Sequence, residues 1–256
     1  MRDRPSRPWH RRLRVPLGVR EDGTPLALDL KEPAQGGMGP HGLYVGGHAA
    51  DGNPVVRTVL SGLTASHSPD ELALLLLGND SDAGFARYAA LPHATTVVAG
   101  LRSEPAAVRH ARDAMSTALD ARRRLLDDKD STTHTDYETA RLAGEPLPPL
   151  PSLLVVVDGF SDLVGANPDL LATLVALGRS GRALGVHLLA VTDGMEPGRV
   201  RGLDGFLSYR IAMRTRDETE SRIAIGVPDA HRLPEAPGHA YLRHGTEALV
   251  PFRLEA

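Results

Sequence analysis

The chain has 256 residues, 41% of them hydrophobic, which is enough to bury one large α/β core or two small ones, and a single domain is expected. Its 29 basic residues against 32 acidic ones give a net charge of −3, which excludes a broad basic field for nucleic-acid phosphates, so no nucleic-acid partner is expected. With no cysteine, disulfides, thiolate catalysis and Cys-ligated zinc are excluded, and without a signal-peptide pattern or an apolar run of ~18 residues the chain reads as soluble.

Residues 1–12 are rich in Arg and Pro and read as a flexible arm, with a single domain over 13–256. A strand is expected over Leu13–Val19, and the turn signal Glu21-Asp22-Gly23-Thr24 pairs it with Pro25–Leu30 in an N-terminal hairpin. Gly36–Pro40 breaks the pattern before the apolar run Gly42–Val45. The loop Gly46-Gly47-His48-Ala49-Ala50-Asp51-Gly52-Asn53 follows, and Asn53-Pro54 is a helix-start pair: Asn caps free N–H groups and Pro has none to orphan. That helix should run to about Ser66.

Leu72–Leu77 is a continuous apolar run of the kind a parallel strand covered on both faces requires, and Thr95–Val98 is a shorter one. A long amphipathic helix is expected from Glu104 to about Asp128, because Val108, Ala111, Met115, Ala118, Leu119 and Leu126 recur mostly three or four apart. The proline-rich connection Pro146–Pro151 leads to the strand Leu153–Val157. A helix over Asp169–Arg182, strands at Val186–Val191 and Leu207–Arg214, a short helix near Glu218–Ile223 and a closing hairpin of Tyr241–Leu242 with Ala248–Leu254 complete the pattern. Alternation of strand and helix implies right-handed crossovers and a mainly parallel central sheet flanked by helices.

The loop after Val45 has the outline of a phosphate-binding turn between strand and helix, G-x-x-x-x-G-K-[ST], in which backbone N–H groups cradle phosphates, Lys reaches the β- and γ-phosphates and a hydroxyl binds Mg²⁺. Here the last three positions read Asp51-Gly52-Asn53. The only lysines, Lys31 and Lys129, lie far from the loop in sequence.

Further segments carry a family resemblance: Leu13–Val19, Asp29-Leu30-Lys31-Glu32, Gln35–Leu43, Leu91-Pro92-His93, Gly185–Leu189, Leu207-Ser208-Tyr209-Arg210-Ile211 and Gly226-Val227-Pro228-Asp229-Ala230. In this order they resemble the FtsK/SpoIIIE-type ATPase domains of EccC, the membrane ATPase of actinobacterial type VII secretion, over about residues 9 to 256. The resemblance implies a RecA-like P-loop NTPase fold with N- and C-terminal β-hairpins. It also implies a cytoplasmic position at the inner face of the membrane, touching the membrane only through partners or segments outside this chain. Its implied partners are neighbouring FtsK/SpoIIIE-like domains, other type VII secretion subunits or a secretion-substrate peptide.

Departures from the family fall on the chemical positions. The family's Gly-Lys-Ser is Asp51-Gly52-Asn53, and its Asp-Glu, the Walker B pair that positions Mg²⁺ and polarises water, is Asp158-Gly159. Its Asp-Phe-Lys-Gly-Gly is Gly78-Asn79-Asp80-Ser81-Asp82, and its sensor Ser/Thr-Gln-Arg is Thr192-Asp193-Gly194. At ~4 Å and an effective dielectric of ~20, each unit charge lost or reversed beside a phosphate opposes binding by about 4 kcal/mol before solvent discounting. A degenerate ATPase site with no catalytic residue is therefore expected, serving a regulatory, docking or secretion-substrate-binding module. No cofactor is expected. The alternatives are a motor domain that binds ATP and Mg²⁺ weakly and hydrolyses it slowly, and, less favoured, a DNA-translocase-like motor.

Two further expectations concern charge. Asp51, Asp80, Asp82, Asp158 and Asp193 all follow strands on the carboxyl edge, where oxygen ligands could hold a hard cation, against the plainer expectation of a solvated acidic rim. Arg179 and Arg182, near the end of a helix, are candidates for interdomain arginines, against favourable charge at a helix C-terminus. The histidines show no metal-ligand spacing, and His187, inside an apolar strand, reads as a hydrogen-bonded core residue.

Overall fold

A computed structural model describes residues 12–46, 53–78 and 84–254. The N-terminal hairpin is β1 (Arg14–Arg20) and β2 (Pro25–Asp29), followed by β3 (His41–Val45), α1 (Pro54–Ser66), β4 (Leu72–Leu77) and β5 (Ala94–Val98). Next come α2 (Pro105–Asp128), α3 (His134–Leu142), β6 (Ser152–Asp158), α4 (Phe160–Ala166), α5 (Pro168–Leu184) and β7 (Val186–Thr192). The chain closes through β8 (Tyr209–Met213), α6 (Glu218–Ile225), β9 (His239–His244) and β10 (Val250–Leu254).

All of these strands join one ten-stranded sheet in the order β2-β1-β10-β9-β8-β3-β7-β6-β4-β5. From β8 to β5 the pairings are parallel, and from β8 to β2 they are antiparallel. The two hairpins therefore extend the parallel core on one side. The fold is the mixed α/β sheet that the alternation of strand and helix implied, in the RecA-like arrangement that the family resemblance implied.

Strand periodicity divides the core in two. In β6, Leu153, Val155 and Val157 pack among α2, α4 and α5 on one face, while Leu154 and Val156 pack with α1 on the other. β4 and β7 alternate in the same way, which is why their sequences are apolar throughout. Gly42 of β3 lets Tyr209 of β8 lie against the backbone, since a Cβ there would stand 2.0 Å from the ring. Tyr44, Tyr137 and Tyr209 are all fully buried.

The structure differs from the sequence reading in two helices and one residue. α3 and α4 were not expected. Arg12, assigned to the flexible arm, is buried: its Nη1 donates to Glu138 Oε2 at 2.9 Å and its Nη2 lies 3.6 Å from Glu71 Oε1. The Leu13 N–H donates to His67 Nε2 at 2.9 Å, and Lys31 Nζ donates to the Arg12 carbonyl at 3.0 Å. Residues 1–11 of the expected arm lie outside the described residues.

Candidate functional site

β3, β6 and β7 are parallel neighbours, so the segments after them meet at the carboxyl edge of the sheet. β8 also runs parallel to β3 and brings its own C-terminal end to this edge. Gly46, Asn53, Asp158, Gly159, Thr192 and Asp193 are all placed here. Gly47, His48, Ala49, Ala50, Asp51 and Gly52 lie outside the described residues, as do Asp80 and Asp82.

Gly46 donates its N–H to the Thr192 carbonyl at 3.0 Å, which continues the β3–β7 ladder one residue past the strand. A Cβ at Gly46 would stand 2.6 Å from the Tyr44 hydroxyl and 2.9 Å from Met213, so a side chain is excluded at the first residue after β3. The Tyr44 hydroxyl donates to Met213 Sδ at 2.9 Å. Burial raises the pKa of this hydroxyl, and the neighbouring Asp193 and Asp158 carboxylates add to the effect.

Asn53 sits where a working loop carries its hydroxyl. Its backbone is extended, and its Oδ1 accepts from Val55 N at 3.1 Å and Val56 N at 3.2 Å. Pro54 supplies no N–H. The first turn of α1 thus directs its free N–H groups at a side chain of its own chain.

At the end of β6, the Gly159 N–H donates to Asp158 Oδ1 at 3.1 Å. Gly159 adopts φ 74°, in the left-handed region, and is the N-cap of α4. A glutamate at this position would meet the steric penalty that glycine escapes. At the end of β7, Thr192 Oγ1 donates to the Gly194 carbonyl at 2.8 Å, while Asp193 is exposed.

A carboxylate that the sequence reading missed braces this edge. Glu220 of α6 is 3% exposed. It accepts from Met195 N at 2.8 Å, Arg216 N at 2.7 Å and Arg216 Nη2 at 2.8 Å, which ties the segment after β7 to the segment after β8. Although burial disfavours its charged form, the Arg216 hydrogen bonds hold its pKa below the ordinary value. The i,i+4 spacing of Arg216 and Glu220 was the available signal.

Arg179 and Arg182 are not at this edge. They lie in the last turns of α5, which ends where β7 begins, at the amino edge of the sheet. Arg182 Nη2 lies 2.6 Å from Glu32 Oε2, and Arg179 is exposed. Lys31 is buried against Asp29 in the N-terminal segment, and Lys129 follows α2, so neither stands in for the missing loop lysine. His187 is buried, with the Leu30 carbonyl as its hydrogen-bond partner. Among the described residues no three His, Cys, Asp or Glu side chains come together as a metal site, and no single helix is long and apolar enough to cross a membrane.

Comparison with known proteins gives concordant results. A family model described as the FtsK/SpoIIIE family matches residues 1–199. The chain is 44% identical over 248 residues to the ESX secretion system protein EccC of Thermomonospora curvata, covering 96% of this chain and 19% of that protein. It is 41% identical over 255 residues to the ESX-4 secretion system protein EccC4 of Mycobacterium tuberculosis, covering 97% of this chain and 21% of that protein. Its structure resembles the cytoplasmic domain of the T. curvata type VII secretion ATPase EccC with a TM-score of 0.93 at 44% identity, covering 98% of this chain and 29% of that one. T. curvata EccC ATPases 2 and 3, solved in complex with a signal sequence peptide, match with a TM-score of 0.74 at 21% identity, covering 98% of this chain and 44% of that one. The chain therefore spans between about a fifth and two fifths of these relatives.

Proposed function

From the premise that the chain belongs to the FtsK/SpoIIIE family, we propose that it is a catalytically degenerate domain of a type VII secretion ATPase of the EccC kind, acting by docking or regulation. The observation that carries this reading is the α1 cap. The N–H groups of Val55 and Val56, the free donors of the first turn of α1, already donate to Asn53 Oδ1 at 3.1 and 3.2 Å and so are not open to an anion. A phosphate would have to displace that side chain, without a loop lysine to attract it and with carboxylates at Asp158 and Asp193 nearby. The positive φ of Gly159 supports the same reading, because a glutamate returned there would need the backbone to move. Hydrolysis in this fold depends on positioning and charge stabilisation by the lysine, Mg²⁺ and a water-orienting residue, and where the lysine and the Walker B glutamate would stand this sequence carries Gly52 and Gly159.

Within a longer protein, the position proposed for the domain is the one outside ATPases 2 and 3. The T. curvata structure holding those two units matches at 21%, against 44% for the T. curvata cytoplasmic domain. The proposed location is accordingly the cytoplasmic face of a secretion complex. Its proposed partners are neighbouring ATPase domains, other type VII secretion subunits or a secretion-substrate peptide. Titration calorimetry with Mg-ATP tests the reading: no saturable heat is expected up to about 1 mM, a Kd above which binding supplies less than about 4 kcal/mol. Micromolar affinity would overturn it.

A further inference from the structure

Two open cavities meet beside the amino ends of β3 and β8, opposite the candidate site. The larger, about 910 Å³, lies among the β1–β2 hairpin, the segment before β3 and the β9–β10 turn. The smaller, about 350 Å³, lies between the start of β8 and the end of α6. Ser208 and Gly245 line both, so the two form one groove. Met38, Leu207 and Ile223 contribute apolar wall.

The charges lining this groove do not balance. Two of the three lining carboxylates have a cation, since Asp29 holds Lys31 Nζ at 2.7 Å and Asp204 holds Arg210 Nη2 at 2.5 Å, while Glu247 lies 2.9 Å from His244 Nε2. Arg222 pairs with Glu218, which lies outside the lining, at 2.9 Å. Three guanidiniums have no ion pair within 4.0 Å among the described residues. Arg14 and Arg20 are exposed, with only a through-space attraction between Arg20 and Asp22, and Arg243 donates Nη1 to the Ile225 carbonyl at 2.5 Å. A chain of net charge −3 thus carries a groove with uncompensated positive charge.

We propose that this groove binds an extended acidic segment of a partner protein, which deepens the docking role proposed above and rests on it. Arg14 and Arg20 stand at the two ends of β1, six residues or about 20 Å apart, so carboxylates about six residues apart in an extended occupant meet both. Pro25, Leu26 and Ala27 of β2 line the groove beside Arg14 and Arg20, so an extended occupant has the length of the β1–β2 hairpin to lie along. The concave shape suits a single extended chain better than the flat surface of a membrane.

The test uses fluorescence anisotropy on the whole chain without nucleotide, so that it is independent of the Mg-ATP titration. The probe is a labelled peptide of about a dozen alternating Glu and Val residues, with a Lys–Val peptide of equal length as control. Saturable binding of the Glu–Val probe alone is expected, weakened about tenfold between about 50 and 300 mM NaCl as the Debye length falls. The Arg14→Glu, Arg20→Glu double variant is expected to bind at least about tenfold more weakly, a loss of about 1.4 kcal/mol, with an unchanged melting temperature because both side chains are exposed. Equal binding of the Lys–Val peptide, or wild-type affinity in the double variant, overturns the proposal. So does binding to phosphatidylglycerol vesicles, abolished in the double variant, with no binding of the Glu–Val probe; that outcome assigns the groove to a lipid surface.

Discussion

Asn53 does two things at once: it begins a helix and it takes up two of that helix's free N–H groups. Asn53→Ala removes the acceptor for Val55 N and Val56 N, and a loss of about 1 kcal/mol is expected in urea denaturation, most of it recovered by Asn53→Ser, another good cap. The cap was legible in the sequence because Asn followed by Pro has a local meaning. What the cap excludes was not legible, because it depends on the first turn of α1 facing the same edge as Asp158 and Asp193. Tyr44 was hidden for a related reason. In sequence it is one apolar residue of a strand, and only the parallel pairing of β3 with β7 and β8 puts its hydroxyl beside Met213 and the two carboxylates.

Among the elements, β4, β6 and β7 could be read directly, since strands covered on both faces are apolar without interruption. α3 could not. It has nine residues, and its buried positions are His134, Tyr137 and Glu138, so no apolar stripe marks it. It is held by charge: Glu138 is 1% exposed and accepts from Arg12 Nη1 at 2.9 Å and from Arg141 Nε at 2.8 Å. Those two bonds keep the carboxyl below its ordinary pKa although burial opposes this. Glu138→Ala removes the 2.9 Å partner of a buried guanidinium, and a loss of about 3 kcal/mol is expected in equilibrium unfolding. Arg141→Ala, at a partly exposed partner, should cost about 1 kcal/mol or less. Equal losses in the two variants would show that α3 is not anchored through Arg12. α4 escaped the sequence reading because it starts on the positive φ of Gly159 and runs for seven residues.

At the scale of the whole molecule, stability is tied to acidity through three imidazoles at the amino ends of β3, β7 and α3. Burial lowers His41 and His134 to about 4 and His187 to about 3, from an ordinary value of 6.5. Each is neutral in the fold and takes up a proton on unfolding. Their contribution is therefore intact above pH 6.5 and is lost as pH falls through about 4. With three groups, unfolding should become easier by up to about 4 kcal/mol per pH unit across that window. Circular dichroism against pH should show cooperative unfolding that begins between pH 6.5 and 4 and moves to lower pH in His187→Gln. A transition confined below pH 3 would contradict this.

The pairing of β1 with β10 has a mechanical meaning. Gly18 faces Leu254 across this antiparallel pair, so Arg12 and Leu254 lie toward the same end of it, and the parallel strands β3 to β7 lie elsewhere in the sheet. A pull on Leu254 would peel β10 from β1 one hydrogen bond at a time, as a zip opens, while Arg12 stays held by Glu138 and Glu71. Under tension the hairpins would yield first, and the groove between them would be the first part of the molecule to change shape.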